Sequence, residues 1–87
     1  MKQPTKQSTK LPTLDLHGFK TDAVADAVDK FLTRNSSKPR VRIMTGKGTG
    51  AVLKTVTAYL KLGGFPWEFE KLDNGQRNEG VLVVILD

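Results

Sequence analysis

The stretch "VLVVIL", residues 81–86, sets six aliphatic side chains in a row. A strand with one wet face would interrupt that run with a polar residue at every second position. The run therefore reads as a central strand covered on both sides. It belongs to a chain of 87 residues, enough for one small domain with one modest core. The other elements must supply the cover.

They do so in a regular order. "TLDL" (13–16) alternates and reads as a short first strand. Thr21 is expected to cap a helix with Asp22 in its first turn, where the helix dipole favours an acid. Val24, Ala27, Val28, Phe31 and Leu32 recur at helical spacing and form its buried stripe. "NSSKP" (35–39) is a loop, "VRIMT" (41–45) a second strand and "GKGTG" (46–50) a glycine-rich turn. "AVLKTVTAYLKL" (51–62) is a second helix with Val52, Leu53, Val56, Tyr59 and Leu60 inward, ended by Gly63 and Gly64. "WEFEKL" (67–72) alternates strictly, as an edge strand does, and "DNGQRN" (73–78) turns the chain into the aliphatic run. The order is β-α-β-α-β-β. Strands separated by helices are expected to be parallel with right-handed crossovers, and the last strand antiparallel. Residues 1–10, "MKQPTKQSTK", are expected to form a disordered basic arm before a domain over 11–87. So short an arm points to a chain that acts alone or with a separate partner.

This order puts two unusual stretches side by side. In a parallel sheet the loops that follow strands share the carboxyl edge, where open α/β sheets bind ligands. Asp15-Leu16-His17-Gly18 ends the first strand, and Thr45-Gly46-Lys47-Gly48-Thr49-Gly50 follows the second. The glycines let backbone amides approach an anion, the turn opens a helix N-terminus, and Lys47 adds a charge. The turn is not a nucleotide P-loop: the position five before Gly46 is Val41, and Gly48 rather than Ser or Thr follows Lys47. NTP hydrolysis is not expected.

Asp15 and His17 are two apart, so on a strand both side chains leave one face and Leu14 and Leu16 the other. The acid can fix the imidazole's tautomer, and the imidazole can move a proton to or from a phosphodiester. A lone D-x-H is more often structural; the neighbouring glycine turn makes the functional reading the stronger one. His17 is the only histidine, which excludes a two-histidine ribonuclease scheme. Asp15 is the only acid in either loop, which does not support a two-metal site. On RNA, His17 would take the 2′-hydroxyl proton, and the leaving oxygen would be protonated by water, Lys47 or Thr45. On DNA, water is the nucleophile and a divalent metal is harder to avoid. No other cofactor is expected.

Charge supports a polyanionic partner. Net charge is +5, with +3 in residues 1–12 and +6 in 38–62, a stretch without an acid. Lys38, Arg40 and Arg42 are candidates for gripping flanking phosphates. Lys54 and Lys61 read more simply as a solvated helix face. Phe65, Trp67 and Phe69 fit core packing better than base stacking. No cysteine is present, which removes disulfides, thiol catalysis and thiolate metal sites. With no membrane-length apolar run and no signal pattern, a cytoplasmic protein without a membrane partner is expected.

"LDLHG" at 14–18, an amphipathic helix, and then "VRIMTGKGTG" leading into "VLKTVTAYL" resembles the Smr (small MutS-related) domain over about residues 11–87. The resemblance implies a two-layer α/β fold like the C-terminal domain of translation initiation factor 3. Its mixed four-stranded sheet has order 1-2-4-3, with both helices on one face. One side of the last strand, Val81/Val83/Ile85 or Leu82/Val84/Leu86, would then face out, or be covered by the arm or a second copy. Smr domains bind nucleic acid, many are endonucleases that nick DNA or cut RNA, and some act at ribosomes. The family's functional positions carry over to Asp15, His17, Gly46, Lys47 and Gly48. Many relatives have His where this chain has Thr45, which leaves a proton-transfer role unfilled. Many are also glycine-rich before the last strand, where this chain has only Gly80. An endonuclease is thus expected, and a non-catalytic nucleic-acid- or ribosome-binding module is the alternative. RNA against DNA, and oligomeric state, stay open at this level.

Overall fold

The computed structural model describes residues 11–46 and 50–87. The proposed arm lies outside them. The elements are β1 (Thr13–Asp15), α1 (Thr21–Arg34), β2 (Arg40–Met44), α2 (Ala51–Gly63), β3 (Trp67–Lys71) and β4 (Arg77–Ile85). The sheet order is β1-β2-β4-β3. β1 is parallel to β2, and β4 is antiparallel to both β2 and β3. This is the expected two-layer α/β fold.

Register sorts the side chains. Leu14 pairs with Ile43, Ile43 with Leu82, and Val41 with Val84. Trp67 and Phe69 on β3 pair with Val84 and Leu82. All of these share one sheet face, because strand side chains alternate. Val24, Val28, Phe31 and Leu32 of α1 and Val56 and Leu60 of α2 pack on that face and close the core. Each such side chain contributes roughly 1.5–3 kcal/mol when fully buried. The Tyr59 hydroxyl donates to Asp29 Oδ1 at 2.6 Å and ties the two helices together.

The other face departs from the expectation of cover on both sides. Val83 and Ile85 lie there half-buried, paired with Arg42 and Arg40. Arg42 reaches across β4 to Glu70 on β3, with Nη2 2.9 Å from Oε1 and Nε 2.8 Å from Oε2. The stems of these long side chains shield the valine row, so charged residues do part of what a second layer would do.

Several boundaries differ by a residue or more, three of them for identifiable reasons. α1 starts one residue earlier than a Thr21 cap requires. Lys20 is the cap, without a side-chain bond, and Thr21 is already helical. The cause is the preceding turn, closed by Phe19 N–H to Leu16 C=O, which delivers the chain straight into the helix. β4 begins at Arg77 because the turn is tight: Leu72 N–H reaches Gln76 C=O at 2.7 Å, and Gly75 takes φ 86°. β2 ends at Met44, and Thr45 leaves the strand to bond Gly80.

Gly63 and Gly64 end α2 for different reasons. Gly64 has φ 75°, a left-handed conformation that side chains disfavour. Its N–H reaches Lys61 C=O and the Phe65 N–H reaches Leu60 C=O, the two bonds of a Schellman cap. Phe65 then folds back, and a Cβ on Gly63 would stand 2.6 Å from its ring.

Candidate nucleic-acid site at the carboxyl edge

Parallel pairing of β1 with β2 brings their carboxyl ends together, Asp15 beside Met44. The pairing continues one residue further, through Leu16 N–H to Met44 C=O at 2.8 Å. Leu16 is fully buried and pins the loop from below. His17 therefore emerges at the sheet edge just past the strand, in a turn that Gly18 permits with φ 81°.

Asp15 clasps His17 twice with one oxygen. Oδ1 accepts from the His17 amide at 3.0 Å and lies 2.9 Å from Nδ1. An ionised carboxylate only accepts, so the proton of the neutral ring sits on Nδ1. Nε2 is then the basic nitrogen, and it has no hydrogen-bond partner among the described residues. The His17 side chain is 78% exposed, open to a ligand. The hydrogen bonds to the His17 side chain and amide hold the Asp15 carboxyl below its ordinary 3.8.

The second loop meets the first. A Cβ on Gly46 would lie 3.8 Å from His17 Cβ, so the backbone at Gly46 passes beside the root of the His17 side chain. The constraint at Gly46 is its φ of 78° rather than space. Gly50 caps α2 in a left-handed conformation, with no side-chain cap and no acid in the first helical turn. Lys47, Gly48 and Thr49 lie outside the described residues.

The remaining candidates separate. Thr45 is 6% exposed; its N–H donates to Gly80 C=O at 2.8 Å, and its hydroxyl faces the carbonyls of Gly46 and Gly80. It anchors the loop, and its hydroxyl is turned toward these carbonyls. Arg42 shares the face of Asp15 but is engaged by Glu70 and by Thr13 Oγ1 at 3.3 Å, so it is not a free phosphate grip. Arg40 lies at the opposite end of β2, about 13 Å from Met44 along the strand. Lys38, in the loop before it, also belongs to that far end. Parallel geometry puts only the segment after β2 at the carboxyl edge.

Two roles escaped the sequence reading. Gly80 receives both the Thr45 and the Gly46 amides and holds the glycine turn to β4. No local pattern marks a carbonyl that acts from 35 residues away. Phe19 is 41% exposed two residues after His17. Its position outside the apolar stripe of α1 was the available signal. Among the described residues no three His, Asp or Glu groups gather closely enough to hold a metal ion. No described helix is long and apolar enough to cross a membrane.

Comparison with known proteins agrees with this architecture. The family model of the Smr domain matches residues 14–87. The endonuclease MutS2 of Symbiobacterium thermophilum is 36% identical over 77 residues, which is 86% of this chain and 10% of the relative. That of Bacillus thuringiensis is 40% identical over 75 residues, 84% of this chain and again 10% of the relative. The chain thus spans about a tenth of the length of these relatives. The crystal structure of the Smr domain of Thermus thermophilus MutS2 superposes with a TM-score of 0.73 at 26% identity, covering 88% of this chain and 99% of that one. A family match that begins at Leu14 and runs through both edge loops to the last residue leaves one assignment: the chain belongs to the Smr domain family.

Proposed function

We propose that this domain binds nucleic acid at its carboxyl edge and cleaves a phosphodiester there. The observation that carries the reading is the Asp15–His17 clasp set against the backbone of Gly46. Kinship with proteins named endonuclease MutS2 supports it.

The chemistry comes from the tautomer. With Nδ1–H held by Asp15, Nε2 of His17 takes the proton of the attacking oxygen. On RNA that oxygen is the 2′-hydroxyl, and on DNA it is water. Asp15 stabilises the imidazolium that forms and keeps the ring in place. The glycine turn and the start of α2 receive the phosphate, and Lys47 neutralises the charge that grows on it. The leaving oxygen takes its proton from Lys47 or water, since the Thr45 hydroxyl is turned inward.

That burial also favours a second reading, a domain that binds nucleic acid or a ribosome without cutting. Such a module needs the cationic edge but no second proton-transfer group. The test uses end-labelled RNA and DNA of matched sequence, single- and double-stranded, with magnesium and with chelator. Cleavage of any strand supports the first reading, and the chelator lane states the metal requirement. Intact strands that are shifted on a gel support the second.

A further inference from the structure

A groove of about 610 Å³ runs between α2 and the start of β3. Lys54, Thr57, Ala58 and Lys61 form its helical wall, and Phe65, Pro66 and Trp67 the other. We propose that this groove binds a single-stranded segment of nucleic acid, with a base stacked on Trp67 and phosphates on Lys54 and Lys61. The proposal rests on the nucleic-acid reading of the edge site and names its substrate class, a strand with unpaired bases.

Composition and placement carry it. The lining holds two cations and no carboxylate. Neither lysine has an ion-pair partner among the described residues, whereas Lys30 on α1 is paired with Asp26 at 3.2 Å. The acids of β3 are nearby in sequence but kept away. Glu68 alternates with Trp67 and Phe69 and so leaves the opposite sheet face. Trp67 is half-buried, fixed by an edge-to-face contact with Phe69 at 5.1 Å. Phe65 is fixed by the Schellman cap and the space at Gly63. The aromatic wall is therefore set before any ligand arrives.

A rigid aromatic wall beside spaced lysines is the pattern that binds single strands, because every base has a stacking face. A paired duplex offers none in its middle. The helical wall of the groove begins near the edge site. Lys54 is one turn from the start of α2, which comes after the glycine turn, and Lys61 lies about 10 Å further along the axis. A strand held by its phosphate at the glycine turn has a charged path along α2 toward Trp67.

Trp67 is the only tryptophan, so its fluorescence reports this groove alone. The full chain is titrated with oligouridylate and oligothymidylate of about twelve nucleotides, within the span such grooves occupy, and with a duplex of that length. Binding is followed in parallel by gel shift. The expected result is quenching by single strands and none by duplex. The double variant Lys54→Gln/Lys61→Gln should flatten the slope of log affinity against log salt by about 1.4, two single-strand phosphate contacts at about 0.7 each. Lys30→Gln should leave the slope unchanged. A gel shift without quenching, with equal slopes in the double variant, overturns the groove and leaves the edge site standing. Equal quenching by duplex overturns the single-strand assignment. No binding of any strand overturns the edge reading and the groove with it.

Discussion

His17 has one ring nitrogen committed to Asp15 and one without a partner among the described residues, and that asymmetry is what the proposed chemistry uses. His17→Ala should lower cleavage by roughly 10²–10⁴-fold, the contribution of a positioned proton-transfer group, while binding changes little. The Asp15 carboxyl is held down first by the His17 ring N–H and then by the His17 amide. A carboxyl lowered on folding stabilises the native state above its unfolded pKa and loses that contribution as pH falls through the lowered value. The clasp is therefore whole at neutral pH and opens in acid below 3.8. Carboxyl-carbon NMR should place the Asp15 midpoint below 3.8 and return it toward that value in His17→Ala. A midpoint unmoved by the substitution would mean that the pair does not exist in solution. Strand alternation suggested that Asp15 and His17 share a face; β1 in fact ends at Asp15, and His17 meets the carboxylate from the turn that follows. The fate of Arg42 was not legible. Alternation places it on the face of Asp15, but only the sheet order reveals Glu70 across β4, within reach. Arg42→Ala should accordingly lower thermal stability and leave affinity for nucleic acid nearly unchanged. A large loss of affinity at unchanged melting temperature would restore it as a phosphate contact.

Among elements, the glycines were visible as punctuation but not as separate devices. Gly63-Gly64 reads as a helix stop from the sequence. That one glycine supplies the left-handed turn and the other the room for Phe65 depends on where a ring lands. Gly63→Ala should destabilise by about 1–3 kcal/mol, the usual cost of forcing extra atoms into a packed site. In a domain this small that corresponds to a melting temperature lower by roughly 4–8 °C for each kcal/mol. Calorimetry checks it, and an unchanged transition would show that Phe65 does not fold back. Strand limits were less legible than strand existence. β4 extends back to Arg77 because a tight turn closed by Leu72 and Gln76 brings the chain into register early. Tertiary pairing, not residue preference, sets that end.

The aliphatic run governs the whole molecule. It had to be central, and it is: β4 lies between β2 and β3, with Leu82 and Val84 fully buried beneath the helices. Leu82→Ala should cost about 2–5 kcal/mol, readable as a shifted denaturation midpoint with an unchanged slope. The opposite row is covered differently from a buried parallel strand, by charged side chains, which periodicity could not show. The same sheet order separates the cations. Arg40 and Lys38 fall at the far end from the carboxyl edge, while the helix that leaves the glycine turn carries Lys54 and Lys61 away from it. A charge count along the chain sees one basic middle; the fold divides it. What unites the molecule is the claim that an acid-clasped imidazole meets a phosphate at that edge. The most direct measurement compares the unaltered chain with His17→Ala on the same labelled strand, scoring cutting and binding together. The variant should bind as well and cut roughly 10²–10⁴-fold more slowly. A variant that cuts as fast as the unaltered chain would contradict it.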